Sequence, residues 1–240
     1  MSGHSHAKTV KRVKDANDAK KGKVFSKLSK IISLAAKDGA NPDFNIALKQ
    51  AIDEAKKANM PKDNIERAVQ KGSGGIEGEQ LEAVLYEAIG PENINIIIEG
   101  ITDNKNRALV EIKQVLQKHN FKLSNEGSVR WAFRQSGFII GKAKPGEKEV
   151  QELDIIESGA EDLSWFNEDN EDYFEAETKA ENLETMKKIL LGKGYTLEKN
   201  FLGWAPNNKI EVAEAGQRSL ERLNEDLDET ETFQELYSNL

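Results

Sequence analysis

LEAVLYEAIGPENINIIIEGI, residues 81–101, carries two apolar runs on either side of Gly90-Pro91. Runs rich in β-branched residues and broken by a Gly-Pro turn read as two strands, Leu81 to Ile89 and Ile94 to Ile101. Upstream of this stretch the apolar residues recur at helical spacing. Downstream, short strands alternate with short helices. The chain therefore divides here into an all-helical part and an α+β part.

In the upstream part, Val24, Phe25, Leu28, Ile31, Ile32 and Ala35 share one side of a helix predicted from about Ala16 to Lys37. Lys20, Lys23, Lys27 and Lys30 share another side, and Leu34 is the apolar exception among them. Gly39 ends the helix. Asn41-Pro42 is read as the start of a second helix with Phe44, Leu48, Ala51, Ile52 and Ala55 inward. Pro61 opens a third, with Ile65, Ala68 and Val69 inward. Gly72-Ser73-Gly74-Gly75 reads as a linker. Residues 1–14 lack an apolar pattern and read as a flexible basic arm.

Downstream, Asp103 or Asn104 caps a helix to about His119, where the imidazole is expected to meet the terminal carbonyls. Strands are predicted at 128–133, 138–142, 162–166, 173–177, 196–205, 209–213 and 232–237. Helices are predicted at 149–158 and 180–191, with another ending near Leu227. Trp131, Trp165, Phe166 and Trp204 are assigned to the core. These pieces are too short for a dinucleotide-binding unit, and suggest two small α+β domains of ferredoxin-like type.

The composition removes several chemistries. There is no cysteine, which excludes disulfides, thiolate catalysis and cysteine zinc sites. The longest unbroken isoleucine run, Ile96-Ile97-Ile98, is strand-sized, so no membrane contact is expected. No phosphate-binding Gly-Lys-Ser/Thr loop is present. His4 and His6 have no nearby partners to complete a metal site. Asp169, Glu171 and Asp172 read as a solvated loop. No enzyme, cofactor, metal or small-molecule substrate is expected.

Charge is distributed unevenly. Residues 1–75 hold 16 Lys+Arg against 8 Asp+Glu, and the remainder holds 18 against 34. Such asymmetry points to a polyanion-binding module joined to acidic domains. The candidate nucleic-acid-binding residues are Lys8, Lys11, Arg12, Lys14, Lys20, Lys21, Lys23, Lys27 and Lys30. Lysine suits a mobile contact with phosphate, whereas arginine suits bidentate reading of base edges. With Arg12 the one arginine of this stretch, backbone or shape recognition is expected.

Three segments carry a family resemblance. Gly3-His4-Ser5, followed by Lys11, Lys14, Asp18, Lys20 and Phe25-Ser26-Lys27, resembles the N-terminal signature of the YebC/PmpR family. Residues 59–68, containing Met60, Pro61 and Asn64, resemble its internal motif, and residues 102–107, containing Asp103, Asn104 and Arg107, resemble a third. The resemblance implies three domains: 1–75, helical; 76–135 plus 205–240, α+β; and 136–204, an α+β domain inserted in the second. It also implies a bacterial, cytoplasmic, non-enzymatic regulator. The partner is then ribosomal RNA or tRNA at the ribosome, or alternatively DNA at a promoter. The family includes probable transcriptional regulators and a mitochondrial translational activator of cytochrome c oxidase subunit I. Translation-linked members help synthesis through proline-rich stretches. The chain departs from the signature at His6 and Ala7, where the family carries Lys-Trp, and at its terminal Tyr237-Ser238-Asn239-Leu240. The signature starts at residue 3, so no transit peptide is expected.

Overall fold

A computed structural model describes residues 18–75, 80–168 and 170–240, with side chains from Lys21 onward. The helical part contains α1 (Asp18–Ala35), α2 (Ile46–Lys57) and α3 (Lys62–Gly72). Leu28, Ile32 and Ala36 from the first helical stretch meet Leu48, Ala51, Ala55, Ile65 and Ala68 in one buried cluster. This is the apolar arc expected from the sequence. The second helix starts later than Asn41-Pro42 suggests. Asn41 Oδ1 instead accepts from the Asp43 N–H in a turn, and Phe44 is 90% exposed. The cap is Asn45, whose Oδ1 accepts from Leu48 N at 3.0 Å while its Nδ2 donates to Ala35 O and Gly39 O. One buried amide thus starts α2 and ties it to the end of α1.

Met60 and Pro61 act at the next junction. Asn59 has φ +57°, and the Met60 N–H returns to Ala55 O at 2.9 Å. This left-handed turn closes α2 and drops Met60 into the core. α3 then crosses α1 closely at Gly72, where an added Cβ would lie 2.0 Å from Ser33 O. Its backbone is helical, so glycine is needed there for space. Gly72→Ala should force the helices apart and cost about 1–3 kcal/mol, read as a lower first transition in calorimetry.

The first sheet contains β1 (Glu82–Ile89), β2 (Asn95–Thr102), β3 (Lys122–Leu123) and β8 (Phe233–Ser238), in the order β3-β1-β2-β8. Between β3 and β8 the chain builds a complete second sheet: β4 (Phe133–Lys142), β5 (Asp162–Glu168), β6 (Glu171–Lys179) and β7 (Leu197–Pro206), ordered β5-β6-β4-β7. Among the described residues, every strand pairing in the two sheets is antiparallel. The second sheet has the βαββαβ connectivity of a ferredoxin-like unit, with α5 (Lys148–Glu157) and α6 (Leu183–Gly192) as its crossovers. The architecture is the expected α+β class with a helical N-terminal domain.

The isoleucine run explains itself here. Ile96 and Ile98 pack under α4 (Lys105–Lys118) and α7 (Glu214–Asp228), with Ile112, Leu116, Leu223 and Leu227. Ile97 points to the opposite face, where it meets Val129, Phe133 and Tyr237, with Phe201 and Trp204 of the second sheet packed alongside. A strand covered on both faces has no polar side to alternate with. The outer side of the second sheet buries Ile139, Phe174, Met186 and Leu190.

Candidate nucleic-acid interface

The basic side of α1 lies opposite Leu28 and Ile32, which are buried. Each lysine on it that the structure describes reaches the same target, the turn joining α7 to β8. Lys23 pairs with Glu229. Lys27 Nζ lies 2.7 Å from Asp228 Oδ1 and 4.6 Å from the centre of the Phe233 ring. Lys30 Nζ donates to Glu231 O at 2.8 Å. The spacing of three and four residues along α1 therefore brings these ammonium groups to one acidic strip. Lys21 is exposed, and helical spacing puts it on a different side of α1 from these three. Lys8, Lys11, Arg12 and Lys14 lie outside the described residues, as do the side chain of Lys20 and the Gly3, His4 and Ser5 motif.

The helical domain also touches β7 of the second sheet and the residue before β1 of the first. Lys57 Nζ donates to Glu198 O at 2.6 Å, and Lys37 Nζ donates to Leu81 O at 2.6 Å. Glu54 lies in the same contact. Burial raises its pKa, and Lys199 and Lys57 partly offset the rise.

The third motif is an organised helix start. Asn104 caps α4, with Oδ1 accepting from Asn106 N and Arg107 N at 3.1 Å each. Arg107 Nη2 returns to Asp103 Oδ1 at 2.5 Å. Asn64 is exposed on α3. Asp103, Asn104 and Arg107 thus shape the start of α4.

Several expectations change. Residues 128–133 do not form one strand: Arg130–Ala132 is a short 3-10 turn, and Trp131 is 75% exposed rather than core. The cause is Glu87, whose buried carboxylate accepts from Gly127, Val129 and Arg130 N at 2.7, 2.6 and 2.9 Å. Residues 209–213 run extended without joining a sheet; Ile210 N makes one ladder-like bond, to Asn239 O. His119 turns its ring to Asp226 Oδ2 at 2.7 Å instead of to the helix carbonyls. Trp165 is partly buried against the second sheet's core, as expected. Trp204 is partly buried, with Nε1 donating to Glu99 Oε1 at 2.8 Å.

The cleft between the sheets, lined by Phe138, Trp204, Lys209 and Tyr237, encloses ≈ 60 Å³, against roughly 300–1,000 Å³ for small-molecule sites. Among the described residues no three or more His, Asp or Glu side chains are grouped to hold a metal ion. Among them, too, no helix is long and apolar enough to cross a membrane.

What the linear reading missed was the acidic partner of the lysine strip. Its signal was present as carboxylates crowded into residues 225–231, at a helix end where cations are usual.

Comparison with known proteins agrees across the whole chain. Residues 5–75 match the TACO1/YebC protein N-terminal domain, and residues 81–240 match the TACO1/YebC second and third domain. A "Probable transcriptional regulatory protein" of Desulfosudis oleivorans is 40% identical over 241 residues, covering 100% of this chain and 96% of that protein. One of the same description from Dictyoglomus turgidum is 40% identical, covering 100% and 95%. The crystal structure of a conserved hypothetical protein from Aquifex aeolicus superposes with a TM-score of 0.81 at 37% identity, covering 92% of this chain and 90% of that one. With both parts of the family pattern matched in order and relatives aligned end to end, the chain belongs to the TACO1/YebC family.

Proposed function

We propose that this chain is a non-enzymatic, cytoplasmic regulator of gene expression that holds nucleic-acid backbone on the lysine side of α1, and that it works on RNA at the ribosome. One observation carries the reading: Lys23, Lys27 and Lys30 leave one side of α1 together and each already holds an anionic or carbonyl oxygen. Released from that turn, the same mobile ammonium groups suit phosphate oxygens, which need many long cationic side chains and no precise geometry. The basic arm, with Lys8, Lys11, Arg12 and Lys14, adds four cationic side chains just before α1 in the sequence. Acidic outer domains would be repelled by bulk phosphate, and so set which way the protein faces.

The ribosomal assignment rests on side-chain type and on family resemblance. Lysines with the single arginine Arg12 suit the phosphates of structured RNA better than base edges in a DNA groove. Proline is a poor partner in peptide-bond formation, since its ring restricts the backbone and removes the amide proton. A factor that positions the two tRNA ends can ease that step with no catalytic group, because orientation alone lowers barriers substantially. A second reading, DNA binding in transcription, is favoured by the names of the relatives.

Two assays on one preparation separate the readings. The protein should co-sediment with ribosomes in a salt-sensitive manner and speed synthesis through consecutive prolines in a purified translation system. Proline-free messages should be unaffected. No acceleration on proline runs, together with nuclease protection of a defined promoter at physiological salt, would replace this reading with the transcriptional one.

A further inference from the structure

Five carboxylates fall within residues 225–231: Glu225, Asp226, Asp228, Glu229 and Glu231. They gather at the C-terminal end of α7, where the backbone carbonyls already carry partial negative charge. The last turn of α7 has no basic residue of its own. Its side-chain partners come from elsewhere in the chain. Lys118 and His119 reach Asp226 at 2.5 and 2.7 Å; Lys23 and Lys27 of α1 take Glu229 and Asp228, and Lys30 takes Glu231 O.

We propose that the α7–β8 turn is a built-in competitor for nucleic acid: it occupies the lysine side of α1 in the free protein, and an RNA backbone displaces it. The inference rests on the nucleic-acid reading given above and adds its regulation. The turn offers oxygens along α1 to Lys23, Lys27 and Lys30, the same groups that would take phosphates, so turn and RNA cannot hold them together. The contact is also built to open. Lys23 and Glu229 keep 47% and 69% of their side-chain surface in water, and exposed ion pairs hold weakly. Lys27 and Asp228 are more covered, at 21% and 22%, so opening must also lift Lys27 off the Phe233 ring. Apparent affinity for RNA is then the intrinsic affinity reduced by the fraction of molecules that are open.

The absence of cysteine allows a clean test. Lys23→Cys with Glu229→Cys can be joined by a bis-maleimide whose spacer contains a reducible disulfide. Fluorescent tRNA is titrated into the bridged protein and into the same protein after the spacer is cut. The bridged form should lose tRNA binding and the cut form should regain it, because apparent affinity scales with the open fraction and bridging takes that fraction towards zero. Equal affinity before and after cutting, or failure of the two thiols to be bridged, overturns the proposal. A second pair of variants separates competition from bulk charge. Asp228→Asn with Glu229→Gln should tighten tRNA binding about tenfold. Glu181→Gln with Glu184→Gln, which changes net charge equally at exposed sites beside α6, should not; equal tightening by both pairs overturns the proposal. If the unaltered chain binds neither tRNA nor duplex DNA, the nucleic-acid reading itself fails and the competitor falls with it.

Discussion

Replacing Lys20, Lys23, Lys27 and Lys30 together by Gln is expected to weaken RNA binding by about a thousandfold at 0.1 M salt. Each lysine that neutralises a phosphate releases roughly 0.7–0.9 counterion, so four of them contribute about 3 to the slope of log K against log salt. Losing that slope costs about three decades at 0.1 M if affinities converge near 1 M. Stability should barely move. The lost ion pairs are partly exposed, Lys23–Glu229 most of all, and such pairs contribute about 0–1 kcal/mol each. Filter binding across a salt series measures both quantities, with thermal unfolding as the control. An unchanged slope in the Gln variant would exclude this side of α1 as the binding surface.

Removing the Glu87 carboxylate should produce the largest loss of stability from one polar side chain. Glu87 is 2% exposed and accepts three backbone N–H groups from residues 127–130. Glu87→Ala leaves these donors without their acceptor, and an orphaned buried donor costs roughly 1–3 kcal/mol. Water can reach the part-buried Gly127 and Arg130, so about 3 kcal/mol in total is expected. Burial pushes the Glu87 pKa up, but the three N–H donors and Arg130 outweigh it and hold the value below 4.5. The folded carboxyl is thus more acidic than the unfolded one. Its contribution is complete above the ordinary value of 4.5 and is lost as pH falls through the lowered folded value. Urea unfolding of wild type and Glu87→Gln should converge on acidification; a gap that stays constant with pH would contradict this role.

Glu87 also explains why part of the fold was hard to read in the linear chain. Val129, Trp131 and Phe133 alternate like a strand, yet a carboxylate donated from β1 bends their backbone into a turn and leaves Trp131 in water. Such a contact spans about forty positions and has no local signature. Ile210 and Val212 alternate too, but only packing could decide that they lie beside the first core without joining a ladder. By contrast, the apolar arc of α1, the helix starts at Asp103-Asn104 and at Pro61, and the hairpin at Gly90-Pro91 depend on neighbours in sequence, and were legible; the structure settles the first cap on Asn104. The lysine strip was legible as a helical face for the same reason. Its acidic partner lies some two hundred positions away, so the sequence held both halves without indicating that they meet.

Photo-cross-linking shows whether RNA lies on α1. Labelled tRNA bound to the full chain is irradiated, the protein is digested, and the modified peptides are mapped by mass spectrometry. Adducts are expected within the arm and α1, residues 8–30. Adducts confined to the second sheet and its helices, residues 133–206, would contradict the account.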